Sequence, residues 1–139
     1  MGCQNTIMIN VSPEKVWATI SNFHDMSWAP EVITSVDAIG THSGYEVGAK
    51  RILNDVFHET LTEVDSDNFT FSYSIDDGPG PVSKEVVSNY IGMVKLTAKG
   101  NGTLVEWSST FDTSNPTEVV EFCDPIYQAL LTALKQTLS

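Results

Sequence analysis

Glu59 stands where an acid or base would have to stand. Along residues 56–64 the chain alternates, so that Phe57, Glu59 and Leu61 share one face while His58, Thr60 and Thr62 share the other. A carboxylate among apolar neighbours must find a partner or hold its proton, because burying a lone charge is costly. A raised pKa would suit a general base for proton abstraction or an aldol-type cyclisation. A partner in Arg51 or Lys50, or water at a wide cavity mouth, would instead make Glu59 a polar anchor or an ion pair. Anchoring or pairing is preferred over catalysis.

The hydroxyls are the next candidates. Tyr73, Tyr90 and Ser109 fall on strand faces otherwise built of large apolar side chains. A core made for stability alone would use plain aliphatics there. Two phenols that need hydrogen-bond partners, set among Trp28, Trp107, Phe111 and Phe122, read better as the lining of a pocket than as simple packing. Ser109 has no base near it in sequence, so it is a polar contact and not a nucleophile. His24, His42 and His58 fall in a helix, a loop and an outward strand face, without ligand spacing, and Cys3 and Cys123 are far from them in sequence. No metal is expected. The Gly-Pro-Gly-Pro loop at 78–81 joins two strands instead of opening a helix, so it cradles no phosphate and no cofactor is expected. It reads as a lid over the pocket, or else as a stiff connector.

Strands must position these groups. Three strands lie between residues 68 and 112. The first puts Phe69, Phe71, Tyr73 and Ile75 on one face, the second Tyr90, Gly92, Val94 and Leu96, and the third Val105, Trp107, Ser109 and Phe111. Upstream, the pattern predicts strands at 6–11, 31–39, 46–53 and 56–64, with a tight turn at Asn54-Asp55 and hairpins at 65–68 and 99–102. Ser12-Pro13-Glu14 starts a short helix with the stripe Val16, Trp17, Ile20 and Phe23. A second short helix is predicted at 24–29, ending before Pro30. Asn115-Pro116 opens a long helix to about residue 138, with Val119, Phe122, Ile126, Leu130, Ala133 and Thr137 on its inner stripe and a kink at Pro125.

Composition narrows the partners. The 139 residues carry a formal net charge of −11, which repels phosphate backbones and anionic membrane surfaces. No run is apolar and long enough to span a bilayer, and no secretory signal is read. Met1-Gly2-Cys3-Gln4-Asn5-Thr6 fits an acylation template, but the start of the first strand is the preferred reading. The two cysteines read as reduced thiols of a cytoplasmic protein. Neither nucleic acid nor stable membrane insertion is expected, and the chain is expected as a monomer or homodimer.

The order and spacing of several segments carry a family resemblance. They are Ser12-Pro13-Glu14-Lys15-Val16-Trp17 with Ile20-Ser21-Asn22-Phe23, Trp28-Ala29-Pro30, Glu59-Thr60-Leu61 and Phe71-Ser72-Tyr73-Ser74-Ile75. Gly78-Pro79-Gly80-Pro81-Val82-Ser83, Asn89-Tyr90 and Val105-Glu106-Trp107-Ser108-Ser109-Thr110-Phe111-Asp112 complete them. From about residue 5 onward the chain resembles the polyketide cyclase/dehydrase branch of the START-like (SRPBCC, birch-pollen-allergen-like) superfamily. The resemblance implies an α+β helix-grip fold in one domain, 1–139. In that fold a seven-stranded curved antiparallel sheet, two short helices and a long C-terminal helix enclose a cavity. It also implies lipid binding or, more broadly, binding of a small apolar or amphipathic ligand of lipid, polyketide, quinone or aromatic type. The alternative is a cyclase or dehydratase using Glu59 as general acid/base, and a third reading is an interaction protein with a filled core. The ligand set is Trp28, Glu59, Phe71, Tyr73, Tyr90, Trp107, Ser109, Phe111, Phe122, Ile126 and Leu130. Residues 84–88 lengthen the approach to Asn89-Tyr90, and Pro125 interrupts the closing helix, so the pocket mouth and lining depart from the family pattern there.

Overall fold

The computed structural model describes residues 2–138. Among these residues seven strands form one antiparallel sheet: β1 (Gly2–Ile9), β2 (Val36–Ile39), β3 (Lys50–Leu53), β4 (Phe57–Asp65), β5 (Thr70–Asp77), β6 (Val87–Lys99) and β7 (Gly102–Thr113). Their spatial order is β1-β7-β6-β5-β4-β3-β2, so the five consecutive pairs from β2 to β7 are neighbours in space and β1 closes against β7. Helix α1 (Pro13–Ile20) follows β1, and α2 (Pro116–Thr137) closes the chain across the inner face of the curved sheet. This is the helix-grip arrangement the resemblance implied.

Local chemistry explains most boundaries. Ser12 accepts the Lys15 amide and caps α1, with Pro13 at the first helical position. Asn54 and Asp55 both have positive φ, which suits the right-handed twist of a β3–β4 hairpin. Gly100, at φ +60°, makes the two-residue turn between Lys99 and Gly102. The predicted alternation on β6 and β7 holds: Tyr90, Gly92, Val94 and Leu96, then Val105, Trp107, Ser109 and Phe111, are buried.

Three expectations are corrected. There is no helix at 24–29. Asn22 takes the His24 amide and Asp25 takes the Ser27 amide and hydroxyl, so side chains compete with helical bonding through this segment. Residues 21–35 therefore run as turns. The strand at 31–39 shrinks to β2, with the Thr34 and Ser35 amides taken by Asn54 Oδ1, and the strand at 46–53 shrinks to β3, because Glu46 caps a turn at Ser43 and Gly48 sits at φ +99°. The inner stripe of α2 is Val119, Cys123, Tyr127, Leu130, Leu131 and Leu134. Phe122, Ile126 and Ala133 flank it half-buried, and Thr137 is exposed. The helix assignment runs unbroken through Pro125, which lies on the exposed side of α2 along with Glu121, the residue whose carbonyl it leaves without a helical donor.

The 78–81 loop is tethered at both ends. Asp77 Oδ1 accepts the Gly78 and Lys84 amides, each at 3.0 Å, and Val82 is fully buried. No helix among the described residues is long and apolar enough to cross a membrane.

Candidate functional site

Arg51 and Glu59 lie directly opposite each other on β3 and β4, both on the inner face. Arg51 donates from Nε and Nη2 to Glu59 Oε1 at 2.8 and 2.7 Å. Its Nη1 donates to the Phe23 carbonyl at 2.8 Å and to Met26 Sδ at 3.5 Å, and the guanidinium lies 3.7 Å from the centre of the Phe23 ring. Arg51 and Glu59 are 3% and 5% exposed, so this is a buried ion pair. Burial raises the Glu59 carboxyl above its ordinary range, the Arg51 charge and hydrogen bonds pull it only part of the way back, and Asp76 adds a small upward push.

The pair borders a cavity of about 40 Å³ between the sheet and α2. Five predicted ligand residues line it: Glu59, Tyr73, Trp107, Ile126 and Leu130. Met26, Ile33, Arg51, Leu53, Phe57 and Ile75 complete the wall. Met26 and Ile33 come from the irregular segment 21–35, which covers one side.

The other predicted residues lie elsewhere. Trp28 packs on Trp107 with ring centres 6.4 Å apart and faces a surface groove beside Pro30 and Thr137. Phe71 packs against Trp17 and Phe23, Tyr90 stacks on Phe111 at 5.6 Å, and Phe122 packs on Phe57 at 6.3 Å. Ser109 accepts the Cys3 amide at 3.3 Å, a structural bond between β1 and β7.

The phenols serve one another. Trp107 Nε1 donates to the Tyr73 hydroxyl at 2.9 Å. The Tyr90 and Tyr127 hydroxyls share a hydrogen bond, and Tyr90 also donates to Cys123 Sγ at 3.3 Å. Trp107 stacks on Tyr127 at 5.6 Å. Burial pushes the Tyr73, Tyr90 and Tyr127 phenols well above their ordinary range and the Cys123 thiol up to about 12. These groups stay protonated and bonded internally, so they form a polar partition beside the cavity. Tyr127 was missed in the sequence; its spacing of four from Cys123 and eight from Val119 is the helical signal that marks it. Arg51 was named there only as a partner for Glu59, yet it organises the site.

His24 Nε2 bonds the Lys50 carbonyl at 2.9 Å. Among the described residues no group of three or more His, Cys, Asp or Glu side chains is placed to hold a metal ion.

This geometry, a curved seven-stranded sheet gripping a long helix over a mixed apolar and ionic cavity, defines a class of protein. Residues 3–139 match the family model described as "Polyketide cyclase / dehydrase and lipid transport", and the chain belongs to that family. It is 38% identical to a structurally solved protein from Nitrosospira multiformis, over 100% of this chain and 97% of that one, with a TM-score of 0.96. It is 27% identical to the protein XoxI of Bacillus cereus, covering 99% and 94%, with a TM-score of 0.80. Ara h 8.0201, at 19% identity, 99% and 97% coverage and a TM-score of 0.80, shares the fold. A comparison with curated proteins finds no match. Family and fold fit a ligand-binding or polyketide cyclase-like role.

Proposed function

We propose that the protein binds a small apolar or amphipathic molecule in the cavity bounded by Arg51, Glu59, Tyr73, Trp107, Ile126 and Leu130. The observation that carries this reading is the buried Arg51–Glu59 pair facing an otherwise apolar wall. A buried ion pair gives little net stability against well-packed apolar residues, so its place here is better explained by what it binds. At about 40 Å³ the cavity has room for water alone. A ring-sized guest needs on the order of 150 Å³. Room for it comes from movement of the Ile33 side chain on the 21–35 segment, which carries neither helix nor strand, while Met26 stays on Arg51.

Binding is favoured over a Glu59-driven reaction by one contact. Both Arg51 donors land on Oε1, so the carboxylate is held in an ion pair whose charge offsets part of the upward push of burial. The test is a titration with indole, an uncharged ring-sized guest, followed by NMR shifts, with native mass spectrometry of the purified protein for a co-purified guest. Saturable one-to-one binding, retained with altered affinity in Glu59→Gln, is expected. No saturable binding would overturn the reading in favour of a filled core.

A further inference from the structure

The cavity's charged lining constrains the head of its ligand, and this inference rests on the binding reading above. Arg51 and Glu59 are the charged residues of the wall, and their charges cancel. A guanidinium has five N–H donors. Nε spends one on Glu59 Oε1, Nη2 spends one on the same atom, and Nη1 spends two on the Phe23 carbonyl and Met26 sulfur. One hydrogen on Nη2 is left over. Both Arg51 bonds to Glu59 land on Oε1, so Oε2 keeps its accepting capacity.

A ligand carboxylate would lie beside Glu59 with no spare cation to balance it. A ligand ammonium would lie beside Arg51 in the same position. Each is a like-charge contact in a desolvated site, where such contacts are costly. A head with no polar atoms would cover the pair and leave both valences without a partner. We propose that the cavity selects an uncharged head with a donor beside an acceptor, such as a primary carboxamide or a hydroxyl next to a carbonyl. The donor goes to Glu59 Oε2 and the acceptor to Arg51 Nη2. The remainder of the ligand is apolar and small, because the Trp107–Tyr127 stack and the Tyr73 ring close the space beyond.

Four probes of similar shape test this: benzamide, benzoate, benzylammonium and toluene, each titrated at neutral pH into isotope-labelled protein and followed by NMR shifts. Benzamide should bind at least about ten-fold more tightly than the other three, a difference of one good polar contact. Benzoate or benzylammonium binding as tightly as benzamide overturns the neutral head and leaves cavity binding standing. Toluene matching benzamide overturns recognition by the pair and again leaves an apolar binding site. No saturable shift with any probe overturns both readings. In the Arg51→Met/Glu59→Leu double variant the preference of benzamide over toluene should fall to parity. A preference that persists there overturns the assignment to this pair.

Discussion

The Tyr73 hydroxyl accepts the Trp107 indole hydrogen at 2.9 Å although the two residues belong to strands that do not touch. Strand β6 runs between them. Its residue at the crossing is Gly92, which pairs with Tyr73 on one side and Ser109 on the other. A Cβ at position 92 would overlap the Tyr73 ring. The missing side chain is therefore what lets the phenol lie flat across β6 and reach the indole. The cavity wall and the tyrosine partition meet at this bond.

Gly92→Ala should displace the Tyr73 ring, break its bond to Trp107 and destabilise the protein by about 1–3 kcal/mol, the usual cost of overpacking a tight core. Urea denaturation measures the loss, and Trp fluorescence reports the freed indole. Wild-type stability with an unchanged emission spectrum would contradict the packing described.

The Arg51–Glu59 pair predicts a pronounced non-additivity. Arg51→Met alone leaves a buried carboxylate without its partner and should cost about 3–5 kcal/mol. Arg51→Met with Glu59→Leu removes both charges and should lie within about 1 kcal/mol of wild type or above it. A double-mutant cycle by chemical denaturation decides the matter. A double variant as unstable as Arg51→Met alone would mean that the pair is needed for packing and not retained for binding.

Much of this fold was readable from period-two alternation. β6 and β7 bury the residues the pattern named, and the Asn54-Asp55 and Gly100-Asn101 turns follow from residues that tolerate positive φ. Reading failed where side chains compete for the backbone. Asn22 and Asp25 dissolve a helix that local composition favoured, and Glu46 shortens a strand. It also failed on α2, where apolar residues flank the true stripe on one side. Cys123 and Tyr127 look polar in a sequence but are buried, because they bond to Tyr90. The site was half legible. Glu59 stood out as a carboxylate on an apolar face, whereas Phe71, Tyr90 and Phe111 share its face of the sheet and still pack away from the cavity. A face can be inferred from alternation; which part of that face stays open depends on α2 and the 21–35 segment.

The tyrosine partition sets an alkaline limit on stability. Burial, and for Tyr73 also the charge of Glu59, raises the native pKa of Tyr73, Tyr90 and Tyr127 above the unfolded value of about 10. The folded chain thus holds these protons more tightly than the unfolded chain. Their contribution is full below pH about 10 and is lost as pH rises from there through the native values. In Tyr45→Phe protein the three remaining tyrosines are the buried ones. Phenolate absorbance should then stay absent until near-ultraviolet circular dichroism collapses. Reversible phenolate formation in the folded state would refute the partition.

Asp77 gives the opposite sign. The Lys84 and Gly78 amides on its Oδ1 hold this carboxyl below the ordinary range, with help from the nearby charges of Lys84 and His58. Its native pKa lies below the unfolded value, so its stabilising effect is present above about pH 4 and is lost as pH falls through the native value. The melting-temperature gap between wild type and Asp77→Ala should therefore be widest near neutrality and narrow steadily under acid. Hydrogen exchange at the Lys84 amide should quicken in the variant at neutral pH, because the tether on the 78–84 loop is gone. A gap that does not change with pH would mean that Asp77 acts there by shape and not by charge.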